Sequence, residues 1–212
     1  MKIKAKHILF DLDGTLVDST ESINACWRDW SLSYGLDPIM VAQYSIGRTA
    51  SDTISKFLGE DVRLTVAVRE FIAREIELAK HSKPLSFAKD FVNSLPLKRW
   101  AIVTSATKAL AEARLKSAGL PIPAVLVTAE SVKLGKPHPE GYLLAAKLLQ
   151  TCPENCLVFE DAPSGVVAAQ SAGMMTVLVG NAQYQGLNLV SRISDYANLE
   201  CFSTCRGIEI KF

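Results

Sequence analysis

The sequence has no long hydrophobic run and no excess of charge of either sign. No stretch approaches the roughly 18 to 20 apolar residues that cross a bilayer, so no membrane partner is predicted. With 23 Lys and Arg against 22 Asp and Glu, no surplus of positive charge is available to bind nucleic acid. Residues 1–6 lead directly into a strand-like segment instead of the apolar core of a signal peptide, which favours a cytoplasmic protein.

Cysteine is scarce, and its count is odd. Five cysteines do not form a closed disulfide framework, and a reducing compartment is the simpler interpretation. The pairs Cys152/Cys156 and Cys201/Cys205 share a C-x3-C spacing that a structural zinc could use. Neither pair has glycine-rich knuckles, so packing as small apolar side chains is the favoured alternative.

What the chain does have is a repeated alternation of strand and helix patterns. Continuous apolar runs, typical of strands buried on both faces, occur at 7–10, 100–103, 124–127, 156–159 and 176–179. Helical patterns follow the later runs, and two of them stop at Gly119 and Gly173, as expected of helix C-caps. The pattern predicts an α/β fold with a doubly wound, mainly parallel sheet.

One connection is far longer than the others. More than 90 residues separate Phe10 from Ile102, which exceeds any ordinary crossover between strands. Helical spacing fills much of this segment, with a first helix predicted to begin at an Asp18/Glu21 capping box and to end at Gly35, and others at 51–58 and 64–79. We therefore predict a small helical domain at residues 18–82, inserted into a core of residues 1–17 and 83–212.

Acidic residues follow the first and fourth apolar runs. Asp11 and Asp13 lie two residues apart at a strand end, where ligands bind in open parallel sheets, and Gly14 permits a turn there. Carboxylates this close repel unless a cation lies between them, which suggests a hard ion such as Mg²⁺. Asp161, beside Glu160, could complete such a site. The alternative for the first pair is a capping Asp beside a turn Asp.

Phosphate-binding groups are predicted on two other loops. Lys136 precedes Pro137, which disfavours a helix there and lets the lysine extend into the cleft, although a surface lysine is the alternative. Thr104 and Ser105 precede a helix beginning near Thr107, so hydroxyls and a helix N-terminus could bind an anion, unless they only cap that helix.

Four tracts resemble the motifs of the haloacid dehalogenase-like (HAD) hydrolase superfamily, over essentially the whole chain. They are residues 11–19 (DLDGTLVDS), 103–105 (VTS), 135–137 (GKP) and 159–165 (FEDAPSG). The helical segment resembles the small cap of the β-phosphoglucomutase-like subgroup. The tracts around 100–105 and 127–139 are most similar to bacterial sugar phosphatases and to the yeast 2-deoxyglucose-6-phosphate and glycerol-3-phosphate phosphatases.

The resemblance implies a mechanism. Asp11 would attack phosphorus and become an aspartyl phosphate, and Asp13 would act first as a general acid and then as a general base. Mg²⁺ would be held by a carboxylate oxygen of Asp11, the backbone carbonyl of Asp13 and the carboxylate of Asp161, with Glu160 reaching it through water. Lys136, with Thr104 or Ser105, would neutralise the phosphoryl group.

The resemblance also separates the alternatives. Dehalogenases of the superfamily lack an acid at the position of Asp13, so a phosphatase acting on a small phosphate ester is favoured, with Gly47 and Arg48 of the cap contacting the substrate. A phosphomutase shares every core residue and is the main alternative. A receiver domain that only accepts a phosphoryl group would not need Asp13 or the long insertion. At this chain length we expect a monomer.

Overall fold

The computed structural model describes residues 1–59, 63–181, 185–204 and 207–212. Its strands are β1 (Lys2–Ala5), β2 (His7–Phe10), β3 (Val17–Asp18), β4 (Lys83–Pro84), β5 (Trp100–Val103), β6 (Val125–Val127), β7 (Cys156–Glu160), β8 (Met175–Val179), β9 (Ser191–Ile193), β10 (Glu200–Thr204) and β11 (Gly207–Lys211). Its α-helices are α1 (Thr20–Ser33), α2 (Pro38–Ser45), α3 (Ala50–Leu58), α4 (Leu64–Leu78), α5 (Ala88–Ser94), α6 (Lys108–Ser117), α7 (Glu140–Leu148) and α8 (Pro163–Ser171). Short 3-10 helices lie at Ala79–His81, Ala129–Ser131 and Pro153–Asn155.

The central sheet has the strand order β6-β5-β2-β7-β8-β9, and every pair in it is parallel. All five predicted strands are present, so the predicted α/β fold with a mainly parallel sheet is confirmed. The sixth strand, β9, has only three residues, none of them buried, and lacks the apolar run that marks the others. Since β5, β2 and β7 are neighbours, the loops that follow them open side by side at one edge of the sheet.

Alternate residues of the central strands face opposite layers of the core. Ile8 and Phe10 belong to one buried cluster and Leu9 to another, as the two-residue period of a strand requires. In the first cluster Phe10 stacks on Phe159 with ring centroids 5.2 Å apart, and Phe91 meets Phe10 edge to face at 6.2 Å. Burying each such side chain stabilises the fold by about 1.5–3 kcal/mol.

A second, antiparallel sheet has the order β1-β11-β10 and was not predicted. Its register pairs Ile3 with Ile210, and both side chains pack on the core. Glu209, on the opposite side of β11, accepts a hydrogen bond from Lys2 at 2.7 Å. The alternation of Ile208, Glu209 and Ile210 was the available signal, because one-sided strands alternate where two-sided strands run continuously apolar.

Helices α1 to α4 pack around a hydrophobic cluster of their own. Trp27 and Phe71 are its centre, with ring centroids 4.0 Å apart, and Ile54 is fully buried against them. The chain enters and leaves this layer through β3 and β4, which pair antiparallel with Val17 opposite Pro84. The helices thus have a core independent of the sheet and a two-stranded connection to it.

The predicted start of α1 is wrong in one detail. No capping box forms between Asp18 and Glu21: the N-cap is Ser19, and its side chain makes no capping hydrogen bond. The Ser19 hydroxyl donates to the Asp13 carboxylate at 2.6 Å and does not bond to the backbone N–H groups of the first helical turn. The predicted end is confirmed, with Gly35 at φ 67° just beyond the helix.

The remaining expectations concern membrane-spanning segments and the cysteine pairs. Within the described ranges, no helix combines the length and the apolar character needed to cross a membrane. Cys152, Cys156 and Cys201 are free thiols, and Cys156 is buried. Cys205, the remaining member of the C-x3-C pairs, lies outside the described residues.

Candidate active site

The loop after β2 carries the first two predicted residues, Asp11 and Asp13. Asp11 is buried at the end of the strand, where its backbone N–H donates to Phe159 in β7. Gly14 has a φ of +82°, and a β-carbon there would lie 2.1 Å from Oδ2 of Asp161. A residue without a side chain is therefore required for this loop to approach the end of β7.

Lys136 joins Asp11 to Glu160. Its Nζ lies 2.6 Å from Asp11 Oδ1 and 2.5 Å from Glu160 Oε1, and the lysine side chain is 7% exposed. Burial alone would lower the pKa of Lys136, but the charges and hydrogen bonds of Asp11 and Glu160 raise it above its ordinary value. The lysine is thus an ammonium held between two carboxylates near the end of β2, and its role in phosphate binding stays a prediction.

Glu160 is fully buried and held from three sides. Its Oε2 accepts the backbone N–H groups of Asp161 and Ala162 at 3.1 and 3.2 Å, and its Oε1 accepts the Tyr142 hydroxyl at 2.8 Å. A β-carbon at position 165 would lie 1.7 Å from Oε1, so Gly165 leaves room for the carboxylate. Glu160 therefore contacts Lys136 directly; its predicted contact with a metal through water stays a prediction.

An acidic cluster lies beside Lys136. Carboxylate oxygens of Asp11, Glu160 and Asp161 lie within 4.8 Å of one another, and the Thr15 hydroxyl is 3.5 Å from Asp161. Burial raises the pKa of Asp11 to about 7, with the negative charges of Glu160 and Asp13 adding to this and Lys136 opposing it. Burial and the neighbouring carboxylates also raise the pKa of Asp161 well above its ordinary value. This all-oxygen cluster has the composition that a hard cation prefers, and a cation would relieve its excess negative charge.

Asp13 has different neighbours from Asp11. Its Oδ1 accepts the Ser19 hydroxyl at 2.6 Å, and its Oδ2 accepts Nη1 of Arg114 at 2.6 Å. Nη2 of the same arginine donates to Glu75 Oε1 at 3.0 Å. Burial raises the pKa of Glu75 to about 7, although Arg114 opposes the shift.

Sequence reasoning missed Arg114 altogether. The signal was present: an arginine stands between Ala111 and Leu115 on the apolar face of α6, where a charged side chain is unexpected unless it has a partner. The partners come from the loop after β2 and from α4, far away along the chain. Only the tertiary structure brings them together.

Thr104 and Ser105 lie in the loop after β5 and face different neighbours. Thr104 is buried and its hydroxyl oxygen accepts the backbone N–H of Ala106 at 3.0 Å. The Ser105 hydroxyl donates to the carbonyl of Gly47 at 3.2 Å. Helix α6 then begins with Thr107 as its N-cap, as the sequence suggested. Both residues border the cleft, and Ser105 also connects this loop to the segment between α2 and α3.

A cavity of about 620 Å³ separates the sheet edge from helices α1 to α4. One side of this cavity is lined by the acidic cluster, Lys136, Thr104 and Ser105. The other side carries polar side chains from the helical layer, namely Asn24, Arg48, Asp52 and Glu75. The guanidinium of Arg48 lies over the ring of Tyr44, 4.4 Å from its centroid. This volume suits a small polar ligand held between the two layers.

Known proteins match the chain over most of its length. Hexitol phosphatase A from Escherichia coli (strain K12) is 40% identical over 182 residues, covering 84% of this chain and 84% of its own. Glycerol-1-phosphate phosphohydrolase 2 from Saccharomyces cerevisiae is 33% identical over 189 residues, covering 82% of this chain and 74% of its own. The crystal structure of a hydrolase from Pseudomonas syringae superposes with a TM-score of 0.78 at 24% identity, covering 90% of this chain and 94% of the other, which supports the fold.

The family match agrees with the motifs described above. The sequence profile of haloacid dehalogenase-like hydrolases matches residues 5–173, a segment that contains the whole sheet edge around Asp11, Lys136 and Asp161. The predicted resemblance to this family and to its sugar and polyol phosphatases is confirmed. The chain belongs to the haloacid dehalogenase-like hydrolase family.

Proposed function

We propose that this hydrolase is a Mg²⁺-dependent phosphatase that cleaves small sugar or polyol phosphate monoesters through an aspartyl-phosphate intermediate. The observation that carries the proposal is the placement of Asp11, hydrogen-bonded to the Lys136 ammonium, at a sheet edge that opens into a polar cavity. The names of the relatives, a hexitol phosphatase and a glycerol-1-phosphate phosphohydrolase, support the same substrate class.

In the first half of the reaction, a carboxylate oxygen of Asp11 forms a bond to phosphorus as the ester P–O bond breaks. Asp13 gives its proton to the departing alkoxide oxygen, so the alcohol leaves neutral. Lys136 lies 2.6 Å from an oxygen of Asp11, which supports a role for its charge in stabilising the transferring phosphoryl group. Asp13 remains as a carboxylate.

In the second half, Asp13 takes a proton from a water molecule as the water oxygen attacks phosphorus. The bond between Asp11 and phosphorus breaks, inorganic phosphate leaves, and both aspartates return to their starting states. The hydroxyls of Thr104 and Ser105, with the N-terminus of α6 behind them, are suited to bind the phosphate oxygens in both halves.

Mg²⁺ fits the acidic cluster because the donors are carboxylate oxygens in excess over the single nearby ammonium. Asp11 and Asp161, with the backbone carbonyl of Asp13, would hold it, and Glu160 would support it from its buried position. When bound, the ion supplies positive charge that stabilises the phosphoryl oxygens in the transition state. Without such a charge, the raised pKa values of Asp11 and Asp161 indicate an unfavourable concentration of negative charge.

We propose that residues 18–82 act as a cap over the core formed by 1–17 and 83–212. The hydroxyl of Ser105 and the carbonyl of Gly47 connect the two layers directly above the site. Arg48 and the other polar side chains of the helical layer would contact the hydroxyl groups of the substrate. Closing this layer over the cleft would exclude bulk water while the intermediate exists.

The decisive experiment is an assay of purified protein with Mg²⁺ against hexitol phosphates, glycerol 1-phosphate, 2-deoxyglucose 6-phosphate and fructose 1-phosphate. We expect release of inorganic phosphate from at least one of them. Products are separated as well, because a phosphomutase would form an isomeric phosphate ester without free phosphate. That outcome, or no turnover of any of these esters, would overturn the proposed function.

A further inference from the structure

Arg114 occupies a position that packing does not explain. It lies on the buried face of α6 with its side chain 3% exposed, next to Leu115 and one turn after Leu110. An apolar side chain there would continue the helix face without desolvating a charge. Its Nε is buried and has no hydrogen-bond partner among the described residues, which is a further cost of keeping an arginine at this position.

Each of the two Nη groups of Arg114 donates a hydrogen bond to a carboxylate. Nη1 donates to Asp13 Oδ2 at 2.6 Å and Nη2 to Glu75 Oε1 at 3.0 Å, so the planar guanidinium bridges two carboxylates. Among the described residues, it forms no hydrogen bond or ion pair with Asp11, Lys136 or Asp161. Its place in the site is therefore at the carboxylate of Asp13, not at the phosphoryl group.

Arg114 and Ser19 together determine where the Asp13 carboxylate points. Each holds one of its two oxygens, at 2.6 Å in both cases, so rotation of the carboxylate about its side-chain bonds is restricted. Proton transfer needs the donor oxygen within hydrogen-bonding distance of the leaving oxygen. A group fixed by its neighbours meets that condition more often than one that is free to rotate.

Glu75 adds a link to the helical layer. It lies in α4, is 10% exposed at its side chain, and faces the cavity from the side opposite the sheet. With α4 against the core, both Nη groups of Arg114 have acceptors. If α4 moved away, the buried guanidinium would lose one of them and its orientation toward Asp13 would be less well defined.

We propose that Arg114 is a positioning residue for Asp13, and that Glu75 completes this arrangement from α4, so that Asp13 is aligned for proton transfer when the helical layer lies on the core. The inference rests on the proposed function, in which Asp13 protonates the leaving group. Arg114 acts through Asp13 and does not touch the reacting atoms.

The test compares two substrates that differ in their need for a proton. An alkyl ester such as a hexitol phosphate requires protonation of its leaving oxygen, whereas p-nitrophenyl phosphate releases a phenolate that is stable as an anion. The constant kcat/KM covers only the steps up to release of this first product. A defect in aligning Asp13 therefore lowers kcat/KM for the hexitol phosphate and spares p-nitrophenyl phosphate.

For Arg114→Met we expect kcat/KM for the hexitol phosphate to fall about 100-fold, the low end of what a general acid contributes, with less than about a threefold change for p-nitrophenyl phosphate. Arg114→Lys should recover part of the loss, because a lysine can donate to one carboxylate. Glu75→Gln, which keeps the shape of the side chain, should show the same selectivity at about tenfold. Arg74→Met, at an exposed position of α4, is the control and should change neither value.

Equal losses of kcat/KM with both substrates in Arg114→Met would mean that Arg114 has a purely structural role. Wild-type values in Glu75→Gln and Arg114→Lys would show that the contact with α4 does not matter. Either result overturns the inference. If Arg114→Met does not fold, the Glu75→Gln and Arg114→Lys variants still decide. Asp13→Asn is measured in parallel. If Asp13→Asn shows equal losses with both substrates, the proposed function itself fails. If Asp13→Asn shows a larger loss with the hexitol phosphate but the Arg114 and Glu75 variants do not, only the present inference fails. In Asp13→Asn/Arg114→Met, no further loss is expected beyond that of Asp13→Asn.

Discussion

Two groups of charged residues face the same cleft and are built in different ways. The Asp11 cluster, defined as Asp11, Lys136, Glu160 and Asp161, comes from loops at the ends of β2 and β7 and from the loop before α7. The Asp13 cluster, defined as Asp13, Ser19, Arg114 and Glu75, comes from the loop after β2, the N-cap of α1, and helices α6 and α4. The sheet places most of the first cluster, whereas helix packing places the second.

The two clusters also differ in charge balance. The Asp11 cluster has three carboxylates against one ammonium, and burial makes that imbalance costly. The Asp13 cluster has two carboxylates against one guanidinium that contacts both. The first cluster has carboxylates in excess of its ammonium, and the second holds its charges in place by direct pairing. If the proposed roles are right, substitutions in the Asp11 cluster should affect chemistry and cation binding, and substitutions in the Asp13 cluster should affect the orientation of Asp13.

The largest expected effect comes from Asp11→Asn. An amide in this position keeps the shape but cannot form the acyl phosphate, so phosphate release should fall by about 10⁴-fold or more. The measurement is release of inorganic phosphate from the best ester of the panel, with thermal unfolding to check the fold. Asp90→Asn, the same change at an exposed site in α5, should retain wild-type activity. Near-normal turnover in Asp11→Asn would remove Asp11 from its assigned role.

Removing divalent cations should stop turnover and act on the Asp11 cluster alone. We expect EDTA to reduce phosphate release to background and excess Mg²⁺ to restore it. Independently of activity, Mg²⁺ should raise the Tm of the wild type, because binding to the folded state stabilises it. Asp161→Asn should lose most of that Tm shift and Glu75→Gln should keep it. An equal shift in all three proteins would place the cation elsewhere.

Tyr142→Phe removes a buried hydrogen bond to Glu160 without changing the size of the side chain. Because burial and the charge of Glu160 raise the pKa of Tyr142, its hydroxyl is a donor at every ordinary pH. Loss of a hydrogen bond to a charged group should lower the free energy of unfolding by about 1.5–3 kcal/mol. Urea denaturation measures this, with Tyr34→Phe at an exposed position as the control. Identical stabilities of the two variants would contradict the role assigned to Tyr142.

The smallest effect is expected at Phe87, which lies where the chain returns from the helical layer. Residues 84–88 read PLSFA, and Phe87 adopts φ +62° as the N-cap of α5. Phe87→Gly relieves the left-handed strain of about 1–2 kcal/mol but adds freedom to the unfolded chain, so a net stabilisation of roughly 0.5 kcal/mol is expected. Kinetic constants should not change, since Phe87 is exposed and belongs to neither cluster. A markedly lower free energy of unfolding for Phe87→Gly would show that packing of the phenyl ring stabilises the fold despite its exposure.

The contrast between the clusters also explains what could be predicted from the sequence. Five of the six strands of the central sheet are local apolar runs in the sequence, and β9 is the exception. The loops that follow these strands are adjacent in space because parallel strands end at one edge. Asp11, Lys136 and Asp161 were therefore within reach of sequence reasoning, helped by motifs that span only a few residues each.

Residues whose partners are distant along the chain were not within reach. Arg114 and Glu75 meet only because α4 packs near α6, and no local pattern records that contact. The predicted Asp18/Glu21 capping box was wrong because the N-cap of α1 is Ser19, one residue later, and the Ser19 hydroxyl donates to Asp13. The strands of the antiparallel sheet were missed because a search for two-sided strands overlooks alternating ones.

Two glycines border the Asp11 cluster, and their contribution is the space they leave. At Gly14 and Gly165 the volume that a methyl group would fill is already taken by oxygens of Asp161 and Glu160. An alanine scan, which is designed to trim side chains, would enlarge these two positions instead. Both would then score as essential although neither has a side chain that donates, accepts or carries charge. Each loss would report a displaced neighbour, the proposed cation ligand Asp161 in one case and Glu160, the partner of Lys136, in the other.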